Sequence, residues 1–363
     1  MSGLLSPLLA SVRAEFQELT LRGPRARFSL TTALGVGLAV VLALTLRLDQ
    51  PYWAGISAFV CSQPSRQMLL NKALNRILGT ALGAGAALVM YRFVAFDTAG
   101  TLLLLFAAGT LAVLGNLVSE HPYAWLLGGL TTVIVVLGAI DNPSFALAVS
   151  VRRIAEIVLG CLTALLAASM LPPGGNASLP PAPAAGWRSL LGPNWFMLNH
   201  GLRTGLAVAL VPVVWQVLSI PDLSQMGISI AAAMGVPALT GEPQRDARAI
   251  TERMAQRVVG CLLGGGAALA VLALPLSAML LPWLLLLMVG IMVGTQIQSG
   301  RHEVAIVGMQ GSVAVIVTLV QGEQPAELLS PAISRLAGML GALGLLAIVG
   351  LVFGPGPERR ADG

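Results

Sequence analysis

The stretch NRILGTALGAGAAL, residues 75–88, returns as QRVVGCLLGGGAAL, residues 256–269. The copies share Arg76/Arg257, Gly79/Gly260, Leu82/Leu263, Gly83/Gly264, Gly85/Gly266 and a closing Ala-Ala-Leu. Each opens an apolar run with one arginine and continues with small residues four apart. Gly79/Gly83 and Gly260/Gly264 are small-xxx-small rows, which let two helix backbones approach closely where lipid surrounds them. The repeated stretch therefore reads as a membrane helix written twice.

The rest of the chain agrees. Of 363 residues, 56% are hydrophobic and 10% charged, against roughly 25% charged in a soluble domain. Mean hydropathy is +0.83. Apolar residues fall in blocks such as LLLLFAAGTLAVLGNLV, residues 102–118, near the ~20 residues needed to cross a ~30 Å hydrocarbon core. Continuous blocks, not alternating ones, exclude an outer-membrane barrel. The fold class is an all-α polytopic membrane protein. Residues 1–27 have mixed charge and no cleavage site behind an apolar core, so they are not a signal peptide. Their spacing fits either an interfacial amphipathic helix or a frayed basic terminus. Cys61, Cys161 and Cys261 each lie inside apolar runs without CxxC spacing and read as small hydrophobic filler.

Twelve spans are expected. Those of the first half are 28–46, 51–63, 73–91, 100–118, 123–140 and 148–171. Those of the second are 201–220, 223–236, 254–274, 281–298, 303–320 and 331–354. This divides the chain into a cytoplasmic segment (1–27), a six-helix repeat (28–171), a linker (172–200), a second six-helix repeat (201–354) and a tail (355–363). The linker contains PPGGNASLPPAPAAG, which cannot continue a helix. Further echoes support the duplication: Gly55–Ser57 with Gly227–Ser229, His121 with His302, Pro143 with Pro325, Arg153 with Arg335. A shorter echo, RILGTALG at 76–83 and RIAEIVLG at 153–160, hints at an inverted repeat nested within the first half. Six spans per repeat make the two repeats parallel. With both termini cytoplasmic, sixteen of the 21 basic residues lie inside and only Arg47, Arg92, Arg152, Arg153 and Arg335 outside, as the positive-inside rule requires.

The chemistry is expected at matched positions of the halves. The second span of each is short and proline-ended, at Pro64 and Pro237. Segments too short for the bilayer at equivalent positions mark transport sites, because freed backbone groups must line a cavity; a tilted helix ending in the headgroups is the plainer alternative. Arg76 and Arg257 begin their spans at the cytoplasmic side, as snorkelling anchors or as collectors of anions at the inner mouth. Arg153 and Arg335 sit at outer ends that the charge rule disfavours, which makes them substrate candidates. Glu156 could pair with Arg153 three residues away, whereas Arg335 has Gly338 at that spacing and is the first candidate to meet an anion. His121 and His302, with Glu156, could relay protons; as interfacial polar residues the histidines need no such role. Tyr52 and Trp53 fit either a substrate contact or an aromatic belt.

No GxxxxGK[ST], GxSxG or metal-ligand spacing occurs. An ATP motor, an enzyme, a metal centre and a bound cofactor are all unexpected, as is a nucleic-acid partner.

Taken together, PYWAGISAFVCSQPS (51–65), KALNRILGTALGAG (72–85) and RRIAEIVLG (152–160) resemble the fusaric acid resistance and aromatic acid exporter family of bacterial inner-membrane proteins. The motif positions fall on Tyr52, Trp53, Pro64, Arg76, Gly79, Gly83, Arg153 and Glu156. The resemblance implies efflux of aromatic or other hydrophobic carboxylic acids as organic anions, and cooperation with a periplasmic membrane-fusion protein. A homo-oligomer and membrane lipid complete the expected partners. The family is similar to the aluminium-activated malate transporters, so an anion channel is an alternative. Larger members carry sizeable cytosolic domains for which this chain has only the linker and a short tail, which leaves a non-transporting scaffold as another.

Overall fold

The computed structural model describes residues 2–140, 142–173, 186–192, 194–218, 229–230, 242–274, 279–321, 324–325 and 330–353. Among them are the α-helices α1 (Ser2–Gln17), α2 (Gly23–Thr45), α3 (Tyr52–Cys61), α4 (Arg66–Val94), α5 (Thr98–Val118), α6 (Pro122–Gly138), α7 (Ala146–Met170), α8 (Trp195–Ala209), α9 (Val211–Leu218), α10 (Pro243–Leu272), α11 (Leu280–Gln298), α12 (Ala305–Leu319) and α13 (Ser330–Phe353), with short 3-10 helices at Pro143–Phe145 and Trp187–Leu191. The one departure from helix beyond turns is a two-residue antiparallel pair, Val320–Gln321 with Gln324–Pro325.

Seven helices among the described residues are long and apolar enough to cross a membrane: Gly23–Thr45, Arg66–Val94, Thr98–Val118, Pro143–Met170, Trp195–Val217, Arg248–Leu272 and Leu280–Gln298. Four shorter apolar helices accompany them. The span expected over 223–236 lies outside the described residues, apart from Ser229 and Ile230. The span expected over 201–220 begins earlier, at Trp195, inside the region read as linker. It is interrupted between Ala209 and Val211, next to Pro212, which has no N–H to give to the helix ladder.

α4 shows how the apolar sequence is divided between lipid and protein. Leu70, Leu74, Leu78 and Leu82 are exposed along one stripe, whereas Leu69, Ala73, Arg76, Gly79, Thr80 and Gly83 are buried on the other face. That inner face packs on α6, where a Cβ on Gly83 would run into the backbone carbonyl of Gly128. The same contact recurs between α10 and α12, with Gly264 against the backbone of Gly311.

α3 is the enclosed element. It is ten residues long, about 15 Å at 1.5 Å per residue. Ser62 turns extended ahead of Pro64, and Ser65 caps the next helix by accepting from the Met68 N–H. α3 packs on α2 and α7, with Gly160 of α7 beneath the Ala54 carbonyl and Ser57. Ile316 of α12 stands 3.1 Å from where a Cβ of Gly55 would be, so α3 also touches the second half of the chain. The largest buried core spans α2, α3, α7, α11 and α12.

α1 turns Leu8, Val12 and Glu15 inward, one helical face. Val12 joins a small core with Val259, Ile297, Val304 and Val307. Of the two expectations for this segment, the frayed terminus is replaced by a docked helix.

Candidate functional site

Two buried arginines flank α3, one at each end of a single turn. Trp53 and Ser57 are four residues apart, hence on one face. Arg153, on α7, is 5% exposed and lies over the Trp53 ring, its guanidinium carbon 3.2 Å from the ring centroid. Arg76, on α4, donates from Nε to Ser57 Oγ at 3.3 Å and from Nη1 to Tyr123 Oη at 2.6 Å. Ser57 Oγ in turn donates to the Trp53 carbonyl at 2.7 Å. Lys72 sits 5.5 Å from the Tyr123 ring centroid, which puts a second cation beside Arg76.

The Arg153 end opens onto a cavity of about 180 Å³ lined by Gln50, Tyr52, Trp53, Ile134, Val149 and Glu156, among others. Its walls mix aromatic and aliphatic surface with charge. Arg153 is incompletely paired there. Glu156 Oε2 is 3.9 Å from Nη1, too far for a hydrogen bond, and Nε and Nη1 have no hydrogen-bond partner. Glu156 Oε1 instead accepts from the backbone N–H of Gln50 at 3.1 Å. At the rim, Asp49 pairs with Arg152. A buried cation with free, coplanar donors beside aromatic faces suits a carboxylate on a flat, apolar body.

The structure brings together Tyr52, Trp53, Arg153 and Glu156, with Arg76 one turn away. Arg76 and Arg257 are both buried, 5% and 8% exposed, on the inner faces of their helices. Arg257 donates to Gln310 Oε1 at 3.1 Å. Arg335 lies on α13, with its side chain outside the described residues, and Pro237 is outside them as well. The histidines do not join the cavity. His121 is exposed at the start of α6, and His302 contacts Glu18 at 3.1 Å, beside α1. Gly79 and Gly260 stand with Gly83 and Gly264 in the helix contacts described above.

Several partners escape a reading of the sequence: Gln50, Ser57, Tyr123, Lys72 and Gln310. Ser57 alone left a signal, as the end of the repeated Gly-Ile-Ser. The cysteines hold a further surprise, since Cys61 and Cys161, 100 residues apart, bring their Sγ atoms to 3.4 Å in the buried core.

A multi-pass helical membrane protein with a buried, arginine-lined cavity is the class these features define. Residues 25–191 match the model of the Fusaric acid resistance protein family. Among curated relatives it is 31% identical over 162 residues to the p-hydroxybenzoic acid efflux pump subunit AaeB of Edwardsiella tarda, 41% of this chain and 25% of that protein. It is 28% identical over 155 residues to the subunit of the same name from Musicola paradisiaca, covering 40% and 24%. It is 30% identical over 156 residues to the uncharacterized transporter YdhK of Escherichia coli, covering 42% and 23%. The chain thus spans about a quarter of the length of these relatives. No solved structure matches it. Family and helices together make it a multi-pass protein of the bacterial inner membrane.

Proposed function

We propose that this chain is an inner-membrane secondary exporter of organic anions, aromatic carboxylates foremost, and not an enzyme. The observation that carries the reading is Arg153: a buried guanidinium lying on Trp53, with two nitrogens unpartnered, beside a cavity of about 180 Å³. A ligand carboxylate would accept from one edge of that guanidinium while its ring lies among Tyr52, Trp53, Ile134 and Val149. Arg76, with Lys72 beside it, would be the inner station, one turn of α3 away. An inside-negative potential drives such an anion outward by ~2.3 kcal/mol per charge per 100 mV. The relatives named as p-hydroxybenzoic acid efflux pump subunits support the substrate class and, as subunits, a partner protein, which we take to be a periplasmic fusion protein.

The architecture proposed around the site is two parallel six-span repeats with both termini cytoplasmic. Its support is the charge asymmetry of the loops and the recurrence of the α4–α6 glycine contact between α10 and α12. Arg257 would then be the second repeat's counterpart of Arg76, and Arg335 that of Arg153.

Flux from proteoliposomes tests the function. Vesicles are loaded with p-hydroxybenzoate, benzoate or acetate, and voltage and pH gradients are imposed separately. Export of the aromatic acids in preference to acetate is expected. Flux that follows voltage alone makes the protein an anion conduit, and dependence on the pH gradient makes it proton-coupled. No flux for any of the acids, with or without a fusion protein, overturns the reading in favour of a scaffold.

A further inference from the structure

Gln50 lies in the loop between α2 and α3, outside both helices; its carbonyl accepts from the Trp53 backbone N–H at 2.9 Å, and it makes three further hydrogen bonds in the cavity wall. Its Oε1 accepts from Trp53 Nε1 at 2.9 Å and from Tyr52 Oη at 3.0 Å. An indole N–H can only donate, so the Gln50 atom it faces must be the oxygen, and two donors fill that oxygen's two lone pairs. The backbone N–H of Gln50 donates to Glu156 Oε1.

We propose, building on Arg153 as the anion anchor, that Gln50 is the positioning residue of the site: its carboxamide oxygen holds the Trp53 indole as the platform for Arg153, and its backbone N–H draws Glu156 away from the guanidinium. Arginine and carboxylate left to themselves close into a planar, two-bonded fork. Arg153 and Glu156 are only three residues apart on α7, both buried, and yet they do not close it; their nearest approach is 3.9 Å. One oxygen of Glu156 is already committed to the loop. The guanidinium, 3.2 Å over a ring that Gln50 keeps in place, therefore retains donors for an incoming carboxylate. Glu156 still supplies a nearby negative charge, so the empty site does not hold a lone buried cation. Gln50 thus sets the difference between a self-neutralised ion pair and a receptive one, and Tyr52 is held by the same oxygen beside it.

The full-length protein, labelled with 5-fluorotryptophan in detergent micelles, tests this by fluorine NMR. The Trp53 resonance is assigned by its loss in Trp53→Phe. Benzoate should shift this resonance in the wild type. In Gln50→Met, which keeps the bulk and loses the acceptor, the resonance should move or broaden, and the benzoate midpoint should rise about tenfold, as loss of two ordinary hydrogen bonds in the site predicts. Gln50→Glu keeps the acceptor and should return the ligand-free resonance toward its wild-type position. In vesicles, Gln50→Met should raise KM for p-hydroxybenzoate about tenfold with Vmax within about twofold; a loop that mattered only for folding would lower Vmax and leave KM alone. A Trp53 resonance that benzoate does not move, or one that Gln50→Met leaves in place with an unchanged midpoint, overturns the role of Gln50. Binding without flux overturns the exporter reading and leaves Gln50 supported.

Discussion

A guanidinium taken out of water keeps its charge at any pH a cell reaches, so what it touches decides what it is for. Arg153 touches an indole face and a distant carboxylate, and its free donors are the most specific chemical statement in the molecule. Replacing it with glutamine should remove about 2–5 kcal/mol of carboxylate binding, and so raise KM for p-hydroxybenzoate well over tenfold while the protein still inserts. Lysine should not rescue it, because a point-like ammonium neither lies flat on Trp53 nor offers a two-donor fork. Glu156→Gln should act in the opposite direction. With the competing charge gone, KM in the same flux assay should fall several-fold, even as the melting temperature drops because a buried cation has lost its neighbour. At the Arg76 end of α3, Tyr123→Phe removes the oxygen that Arg76 Nη1 meets at 2.6 Å. A loss of about 1–3 kcal/mol, read as a lower melting temperature in detergent, is expected there.

Among the elements, α3 and the paired glycine helices carry the design. α3 is half the length of a membrane crossing and almost wholly enclosed, so both of its ends present polar groups to protein instead of lipid. The glycine contacts bring α4 and α6, and α10 and α12, to backbone distance. Gly83→Ala would drive its Cβ into the Gly128 carbonyl, a backbone neighbour that can yield only by moving a helix. About 1–3 kcal/mol of destabilisation is expected, the usual cost of overpacking. Gly85→Ala is the internal control, since nothing lies within 4 Å of that Cβ; there, the better helix propensity of alanine should be neutral or gain up to about 1 kcal/mol. Thermal unfolding of the two variants side by side, in one detergent, separates packing from propensity.

For the molecule as a whole, α1 is a tie between the N-terminal segment and the turn after α11. Glu15 is fully buried and accepts from the backbone N–H groups of Arg301 and His302 and from the Arg25 guanidinium, at 2.5–2.8 Å. Burial by itself would raise its pKa, but these donors outweigh burial and hold the carboxyl below its ordinary value of 4.5. A carboxyl depressed in the folded state gives stability that is complete above about pH 4.5 and is lost as pH falls through the lower, folded value. The melting temperature of the wild type should therefore fall between pH 6 and pH 3.5 by more than that of Glu15→Gln, which starts lower and responds less. The proposed orientation has its own test in a cysteine-free background. An impermeant maleimide should label Phe96→Cys from the periplasmic side of spheroplasts and reach Glu120→Cys only after lysis. Labelling in the reverse order would invert the topology.

Much of this was legible in one dimension. Bilayer thickness converts apolar blocks directly into helices, proline marks where they stop, and small residues four apart mark where they touch. These are local rules, so α2, α4, α5, α7, α10 and α11 could be read from the chain, and so could the brevity of α3. The buried side of a membrane helix was harder to read, because lipid-facing and protein-facing residues are both apolar; for that reason the sequence leaves Arg76 open between an anchor and a collector of anions. Nor does any pattern tell Gln50 to accept from Trp53, Tyr123 to meet Arg76 from 47 residues away, or Cys61 to find Cys161. By itself the sequence determined a helical membrane protein with an internal echo and arginines in unusual places. The tertiary structure decided which arginine is left with open donors, because hydrogen bonding depends on distances of tenths of an ångström between groups that only packing brings together.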